Sequence, residues 1–301
     1  MKQRNSLFFF FTFVFLLCSG SVQAQYWGVW QKTHNITLGL SADEKWAFFM
    51  QKNDAGVNNI YKVELKTNAV TPVTNSTDRP VLGGIVLFGK PAVVFAQAAS
   101  TKGDDVHLYR INALTNDPPV DFTPKDAPSI KRILGMADNG RYVYFLANHG
   151  AGVHIDTYRY DTQQYTNELA FANDKDFETL GWSHDQTQLL LRDPKSGTYY
   201  RYSIETTDKQ PVESNDAMVS LIKANEGMNP SLSQKYVHVL TPTEKILDAS
   251  KVPLPLPAGA FDLIIGPKET SVLYANTDGT ATKLYLYDIG KKTTKELAII
   301  K

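Results

Sequence analysis

Few residues of this chain stand in an arrangement that could do chemistry, and the serines come nearest. Two fragments approach the G-x-S-x-G turn that carries a nucleophilic serine in many hydrolases. They are Gly39-Leu40-Ser41-Ala42-Asp43 and Gly181-Trp182-Ser183-His184-Asp185. Both end in aspartate where a nucleophile elbow needs glycine for steric reasons, and such an elbow occurs once in a chain. We therefore interpret both fragments as turns and predict no catalytic residue.

The histidines and carboxylates form no metal-binding motif either. The six histidines are His34, His107, His149, His154, His184 and His238. None stands in the H-E-x-x-H spacing or a similar ligand spacing. His149 and His154 flank one loop, and Asn173-Asp174-Lys175-Asp176 offers two carboxylates without the calcium-loop pattern. We predict no metal and no cofactor, although histidines from distant parts of the chain could still meet in the folded protein.

A repeated phrase centred on tyrosine reveals the elements that must position these side chains. The central residues are Tyr61, Tyr109, Tyr158, Tyr200 and Tyr285, separated by 48, 49, 42 and 85 residues. The last gap is close to two ordinary ones, which predicts a degenerate copy near Ile246. A repeat of about 45 residues built from short strands is typical of a β-propeller, in which each repeat forms one four-stranded blade.

Each repeat also contains a strand that is apolar at successive positions and must be covered on both faces. These strands are 46–50, 92–96, 142–146, 188–191, 236–240 and 271–275. Blades packed face to face provide that cover. We therefore predict an all-β fold, a six-bladed β-propeller of four-stranded antiparallel blades. The predicted blades are 34–78, 79–125, 126–173, 174–214, 215–257 and 258–301.

The first residues resemble a secretory signal. Lys2 and Arg4 precede the apolar run Leu7–Leu17, and Val22-Gln23-Ala24 forms a small-residue cleavage site. A retained membrane anchor needs about 20 apolar residues, whereas this run has 11. We expect cleavage after Ala24, so that 1–24 is a signal peptide and 25–301 is a single propeller domain. The protein would then be periplasmic or secreted.

Composition narrows the classes of partner. Cys18 is the only cysteine, and it lies inside the predicted signal. A lipid anchor would require a small residue just before the modified cysteine, whereas Leu17 stands there, so we expect no lipid anchor. Removal of Lys2 and Arg4 leaves 29 basic and 31 acidic side chains. A nucleic-acid reader is expected to carry a basic excess, so we predict no nucleic-acid partner. We also expect no stable membrane insertion after signal cleavage, and a monomer.

The repeats resemble those of TolB-like propellers and of the propeller domain in prolyl oligopeptidase family peptidases. The matching stretches include 40–48 (LSADEKWAF), 136–144 (MADNGRYVY) and 182–190 (WSHDQTQLL), each a polar turn before an apolar strand. The family pattern is a Ser-Pro-Asp-Gly turn, and this chain lacks the proline. The TolB resemblance implies an interaction role in a bacterial envelope, and the peptidase resemblance implies substrate gating. We expect the catalytic hydrolase domain of the peptidases to be absent.

The innermost strand of each blade lines the central channel of a propeller, so its polar side chains are the binding candidates. These candidates are Lys131, Arg132, Glu178, Trp182, Lys223 and Asp262. Ion pairs between blades are the competing interpretation of the charged residues. Near the start of the chain, Trp27 and Trp30 could form a partner-binding patch, a packing flap, or an outer strand of the last blade.

Three functions fit these observations. The first is an exported non-catalytic propeller that recognises a protein or peptide partner at the channel mouth or rim. The second is a lyase or hydrolase acting on saccharide or peptide in the central funnel, which predicts that histidine and carboxylate side chains from three or more blades converge. The third is a structural scaffold without a site. The sequence favours the first.

Overall fold

The computed structural model describes residues 36–87, 90–99, 105–115, 117–127, 129–136, 140–148, 154–183, 185–216, 219, 239–240, 246–247, 256–257, 259–268 and 270–301. The regular elements within these ranges are β-strands. The predicted signal peptide, Trp27, Trp30 and Lys223 lie outside them. No helix among the described residues is long and apolar enough to cross a membrane.

Most strands belong to five four-stranded antiparallel sheets, which we call blades. Blade 1 contains β1 (Thr37–Leu40), β2 (Trp46–Lys52), β3 (Asn58–Glu64) and β4 (Val70–Pro72). Blade 2 contains β5 (Val81–Val86), β6 (Ala92–Ala98), β7 (Val106–Asn112) and β8 (Val120–Asp121). Blade 3 contains β9 (Ser129–Met136), β10 (Tyr142–Asn148), β11 (Ile155–Asp161) and β12 (Thr166–Phe171).

The remaining strands complete the series. Blade 4 contains β13 (Glu178–Trp182), β14 (Gln188–Arg192), β15 (Tyr199–Ser203) and β16 (Lys209–Val212). A two-stranded sheet follows, made of β17 (Val239–Leu240) and β18 (Ile246–Leu247). The last blade contains β19 (Phe261–Ile265), β20 (Ser271–Asp278), β21 (Ala281–Asp288) and β22 (Thr293–Ile300).

In every blade the strands pair in sequence order, and the second strand contains at least three consecutive buried residues. The blades pack face to face through apolar clusters, each of which draws on two consecutive blades. Phe48 of blade 1 and Phe95 of blade 2 share one such cluster, for example. Burial of a full aliphatic or aromatic side chain contributes about 1.5–3 kcal/mol, so these interfaces are the main source of stability.

The last blade packs back onto the first and closes the series. Leu273 and Leu284 share an apolar cluster with Ala47 and Phe49. The predicted β-propeller is therefore confirmed. Both of these blades have four strands of their own, so face packing joins them. The two-stranded sheet lies where the sequence predicts the fifth blade, and a sixfold count stays a prediction.

The serine turns have the structural role that the sequence predicts. The Ser41 hydroxyl donates to Asp43 Oδ1 at 2.7 Å and accepts the backbone N–H of Trp46 at 3.1 Å. The hydrogen bond from Ser41, together with those from Lys45, lowers the pKa of Asp43 to about 2. Ser183 and Asp185 make the same contact at 2.6 Å. Both serines are thus engaged in closing the turn between the first and second strands.

Candidate functional site: the inner cavity

A cavity of about 420 Å³ lies between the inner strands of blades 3 and 4, and we call it the inner cavity. Strand β9 contributes Arg132 and Leu134, and β13 contributes Glu178 and Leu180. Its lining residues are Arg132, Leu134, Leu146, Ile155, Asn173, Asp176, Phe177, Glu178, Thr179, Leu180 and Arg192. Two of the residues singled out in the sequence, Arg132 and Glu178, are therefore brought to one site.

An ion pair stands in the wall of the inner cavity. Arg192 donates from Nε and from a terminal nitrogen to Glu178 Oε2, at 2.7 and 2.6 Å. The two residues are directly opposite in the antiparallel pairing of β13 with β14. Their side chains are 30% and 43% exposed, and pairs this exposed contribute about 0–1 kcal/mol to stability. The pair therefore offers charge and hydrogen-bonding groups to a ligand at little cost to the fold.

The cavity floor is apolar and firmly placed. Leu134, Phe177 and Leu180 are each less than a tenth exposed. Beside them, the hydroxyls of Thr157 in blade 3 and Thr179 in blade 4 are hydrogen-bonded at 2.6 Å, which joins the two blades. An apolar floor below a charged wall suits a ligand with both an apolar and a polar part.

The connection between blades 3 and 4 is shaped by one buried amide. Asn173 accepts the backbone N–H of Phe177 at 2.9 Å and donates to the carbonyl oxygens of Phe177 and Ile155 at 2.8 and 3.0 Å. These bonds hold Asp176 and Phe177 at the cavity. Asn173 is thus engaged with the backbone of the connection, which removes it as a calcium ligand in this arrangement.

One of the two histidines that flank a loop in the sequence contacts this connection. His154 Nδ1 lies 2.9 Å from Asp176 Oδ1 at the edge of the inner cavity. A second pair, His107 and Asp121 at 2.7 Å, lies within blade 2. The described residues contain no group of three or more histidine, aspartate or glutamate side chains that could hold a metal ion. His34, His149, His184 and His238 fall outside the described ranges.

The other candidates from the inner strands lie elsewhere. Lys131 is exposed, and its Nζ donates to Ser129 Oγ at 3.2 Å, outside the lining of the inner cavity. Asp262 joins the last blade to blade 1, because its carboxylate accepts the Ile36 N–H at 2.9 Å and its carbonyl oxygen accepts the Thr37 hydroxyl at 2.5 Å. These contacts are hydrogen bonds between blades, whereas the competing interpretation from the sequence was ion pairs between blades.

The expectation for Trp182 is wrong in this structure. Its side chain is fully buried, and its ring stacks on Tyr144 of blade 3 with 4.3 Å between ring centroids. Residue 182 follows Gly181 at an irregularity in the pairing of β13 with β14. The indole therefore faces the neighbouring blade and acts as a packing residue, out of reach of a ligand in the channel.

Arg192 is the functional candidate that sequence reasoning missed. It ends the second strand of blade 4, where the sequence suggested only buried apolar residues. The signal that could have found it is the hairpin register, which places position 192 opposite position 178. Cross-strand neighbours of opposite charge are expected to pair.

Comparisons with known proteins follow this geometry. No protein-family model and no curated protein matches the chain. Similar solved structures include TolB from Acinetobacter baumannii, with 12% identity and a TM-score of 0.42 over 86% of this chain and 53% of that chain. A TolB structure from Agrobacterium tumefaciens has 13% identity and a TM-score of 0.41, over 90% of this chain and 83% of that chain. The chain thus spans about half the length of the Acinetobacter protein. The resemblance concerns the fold, which rests here on the blades and their packing.

Proposed function

We propose that this chain is an exported, non-catalytic β-propeller that binds a protein partner through a peptide segment seated in the inner cavity. The observation that carries the proposal is the cavity itself, in which Arg132 and the Arg192–Glu178 pair stand beside the apolar floor. Its volume of about 420 Å³ is within the range of small-ligand sites, about 300–1,000 Å³. It has room for one or two side chains of an extended peptide.

The chemistry of the lining favours a peptide. Guanidinium groups donate hydrogen bonds to backbone carbonyl and carboxylate oxygens, and carboxylates accept the N–H groups of a peptide backbone. The apolar floor buries an aliphatic or aromatic side chain, which is the usual anchor of a binding hot spot. The described lining residues include no serine, cysteine or histidine that would serve as nucleophile or base.

Export is the second part of the proposal and rests on the first 24 residues. The sequence begins with basic residues, followed by a short apolar run and the Val22-Gln23-Ala24 site. A signal peptide has these three parts in this sequence order. Expression of the full chain in a bacterial host should give a periplasmic product that begins at Gln25, as measured by intact mass. A product that retains its first residues in the membrane fraction would contradict export.

Peptide selection tests the binding function. Short random peptides displayed on phage would be selected on the wild-type protein, and their affinities for the wild type would be compared with those for an Arg132→Ser, Glu178→Gln double variant. Both side chains are exposed, so the double variant should fold normally. We expect the selected peptides to bind the wild type at least about tenfold more tightly than the double variant, a loss typical of a hot-spot contact.

A matched control separates the site from general surface charge. Lys131→Ser changes the neighbouring exposed residue, which does not line the cavity, and should leave the affinity unchanged. Equal affinity for wild type and double variant would refute the inner cavity as the site. Cleavage of the selected peptides by the wild type and not by the double variant would replace the binding function with an enzymatic one.

A further inference from the structure

A second cavity lies on the other side of blade 3, between blades 2 and 3, and we call it the rim cavity. Its volume is about 440 Å³. Its lining residues are Arg110, Val120, Asp121, Phe122, Thr123, Pro124, Lys125, Asp126, Tyr160, Tyr165 and Asn167. The outer strand of blade 2 and the segment that follows it supply the seven residues 120–126, so this cavity is distinct from the inner cavity.

Arg110 of the rim cavity differs from the basic residues at the same position in the other blades. The residue after the repeat tyrosine is basic in four described blades. In blade 1, Lys62 donates to the Ala113 carbonyl oxygen at 2.6 Å. In blades 3 and 4, Arg159 and Arg201 donate to Glu168 and Asp216, both at 2.7 Å. Three of the four cations thus have fixed hydrogen-bond acceptors.

Arg110 contacts an aromatic ring but no oxygen acceptor among the described residues, whereas Lys62 and Arg159 each have both a ring and an acceptor. The guanidinium carbon of Arg110 lies 4.1 Å from the ring centroid of Tyr165, and it makes no hydrogen bond or ion pair within the described ranges. Lys90 Nζ is 5.5 Å from the same ring. Tyr165 is 56% exposed. The contact leaves the N–H donors along the edge of the guanidinium available to a ligand, because cation–π stacking uses the face of the group.

The anionic residues of the rim cavity are already engaged. Asp121 accepts hydrogen bonds from Thr123 and contacts His107 at 2.7 Å. Burial alone would raise its pKa, but these hydrogen bonds outweigh burial and hold the pKa below its usual value. Asp126 accepts the Tyr158 hydroxyl at 3.3 Å. These contacts, together with Lys125 in the lining, leave Arg110 as a cation that can take an external anion.

One polar atom in the lining also lacks a hydrogen-bond donor among the described residues. The side-chain nitrogen of Asn167 donates to the Phe122 carbonyl oxygen at 2.6 Å. Its side-chain oxygen is buried and has no donor within the described residues. Buried acceptors without a donor are uncommon in folded proteins. A ligand N–H could reach this oxygen only if the Asn167 side chain turned toward the cavity.

We propose that the rim cavity binds an acidic side chain of a protein partner, with its carboxylate on the Arg110 guanidinium and its stem against the Tyr165 ring. Guanidinium groups bind carboxylates through two parallel N–H···O bonds, which a single ammonium cannot provide. The proposal is independent of the inner cavity, and its test does not depend on whether the inner cavity binds a peptide.

Matched peptides test this assignment. The probes are acetyl-Ala-Leu-Glu-Leu-Ala-amide, the same peptide with glutamine in place of glutamate, and free glutarate. Binding is measured by calorimetry, and the Arg110 Nε–H and Tyr165 ring resonances are followed by NMR. We expect the glutamate peptide to bind about tenfold more tightly than the glutamine peptide, to shift both resonances, and to weaken with added salt.

Two variants fix the interpretation. Arg110→Gln should abolish the preference for glutamate, while Lys131→Gln removes one exposed positive charge elsewhere and should keep it. Equal affinities of the two peptides, failure of the glutamate peptide to bind, or the same loss in both variants would overturn the proposal. Binding of glutarate as tight as that of the peptide would overturn the assignment to a protein partner and indicate a small dicarboxylic acid.

Discussion

The two sides of blade 3 carry cavities of similar volume but opposite electrostatic design. In the inner cavity, Arg192 is neutralised by Glu178 across a strand pair. In the rim cavity, Arg110 stacks on Tyr165 and has no described carboxylate partner. A single repeat architecture therefore gives one site whose charges are balanced within the protein and another whose cation is open to an external anion.

The difference comes from where each cation sits in its blade. Arg192 ends a second strand and is directly opposite a first-strand glutamate. Arg110 lies on a third strand, opposite Val120 of β8, a strand of only two residues. The short outer strand leaves Arg110 few cross-strand neighbours. Register therefore decides which residue faces each cation, a glutamate for Arg192 and a valine for Arg110.

The largest expected effect concerns the aromatic stacks behind the two cavities. Trp182→Ala removes a fully buried ring behind the inner cavity and should lower the free energy of unfolding by about 3–5 kcal/mol. Phe122 stacks on Tyr160 at the rim with 4.0 Å between centroids but is only partly buried, so Phe122→Ala should cost about 1–2 kcal/mol, less than a full core truncation. Urea unfolding of both variants gives the two values.

A conservative change serves as the control for Trp182. The indole N–H is buried without a hydrogen-bond acceptor among the described residues. Trp182→Phe keeps an aromatic ring against Tyr144 and removes this donor, so it should cost much less than the alanine variant. Equal losses for Trp182→Ala and Phe122→Ala would show that the interface of blades 3 and 4 is no tighter than that of blades 2 and 3.

The next effect concerns a buried charge in blade 3. Asp161 is fully buried and accepts N–H groups from Gln163 and Gln164 at 2.8 and 3.0 Å and from Arg141 at 2.8 Å. Burial acts to raise its pKa, but these hydrogen bonds outweigh burial and lower the pKa below its usual value. Asp161→Asn should destabilise the protein by about 1–2 kcal/mol at pH 7, through weaker hydrogen bonds.

The sign of the pH dependence follows from that lowered pKa. A carboxylate with a depressed pKa in the folded state stabilises the protein above the pKa of the unfolded chain, and this contribution is lost as pH falls through the folded value. Wild type should therefore lose more stability than Asp161→Asn between pH 5 and pH 2, taken as about the range of carboxyl titration. Identical acid unfolding curves would contradict the role given to Asp161.

The smallest effect concerns the rim tyrosine. Tyr165 adopts a positive φ of 59° in the turn between β11 and β12, as Asn68 does with 61° in the corresponding turn of blade 1. Asparagine tolerates this conformation better than an aromatic residue does. Tyr165→Asn should therefore change stability by less than about 0.5 kcal/mol while it removes the ring from Arg110. A loss above 1 kcal/mol, well outside that range, would mean that Tyr165 is structural.

The repeats made the architecture predictable from the sequence. Strands such as Ala92–Ala98 are apolar at successive positions because both faces are covered, and this pattern is visible in the sequence itself. The turns are equally local, since Ser41 and Asp43 bond within five residues of one another and of Trp46. The blade boundaries predicted from the tyrosine spacing contain all five four-stranded sheets.

The sites were less predictable because they depend on register and on neighbours distant in the chain. The inner-strand prediction named Arg132 and Glu178, and both line the inner cavity; their role in binding stays a prediction. It failed for Trp182, because an irregularity in strand pairing decides which way that side chain points. The partner of Glu178 depends on which residues are opposite across a strand pair, which the residue types do not reveal. The same holds for Arg110, which faces Val120 and has no carboxylate partner among the described residues.

The central claim is that the inner cavity is a binding site. NMR with a selected peptide tests this claim directly. The peptide is one selected on the wild-type protein, and the side-chain Nε–H resonances of the arginines are followed during titration. We predict that Arg132 and Arg192 shift together while Arg201 stays unchanged. Shifts at other arginines with Arg132 and Arg192 unmoved would contradict the account.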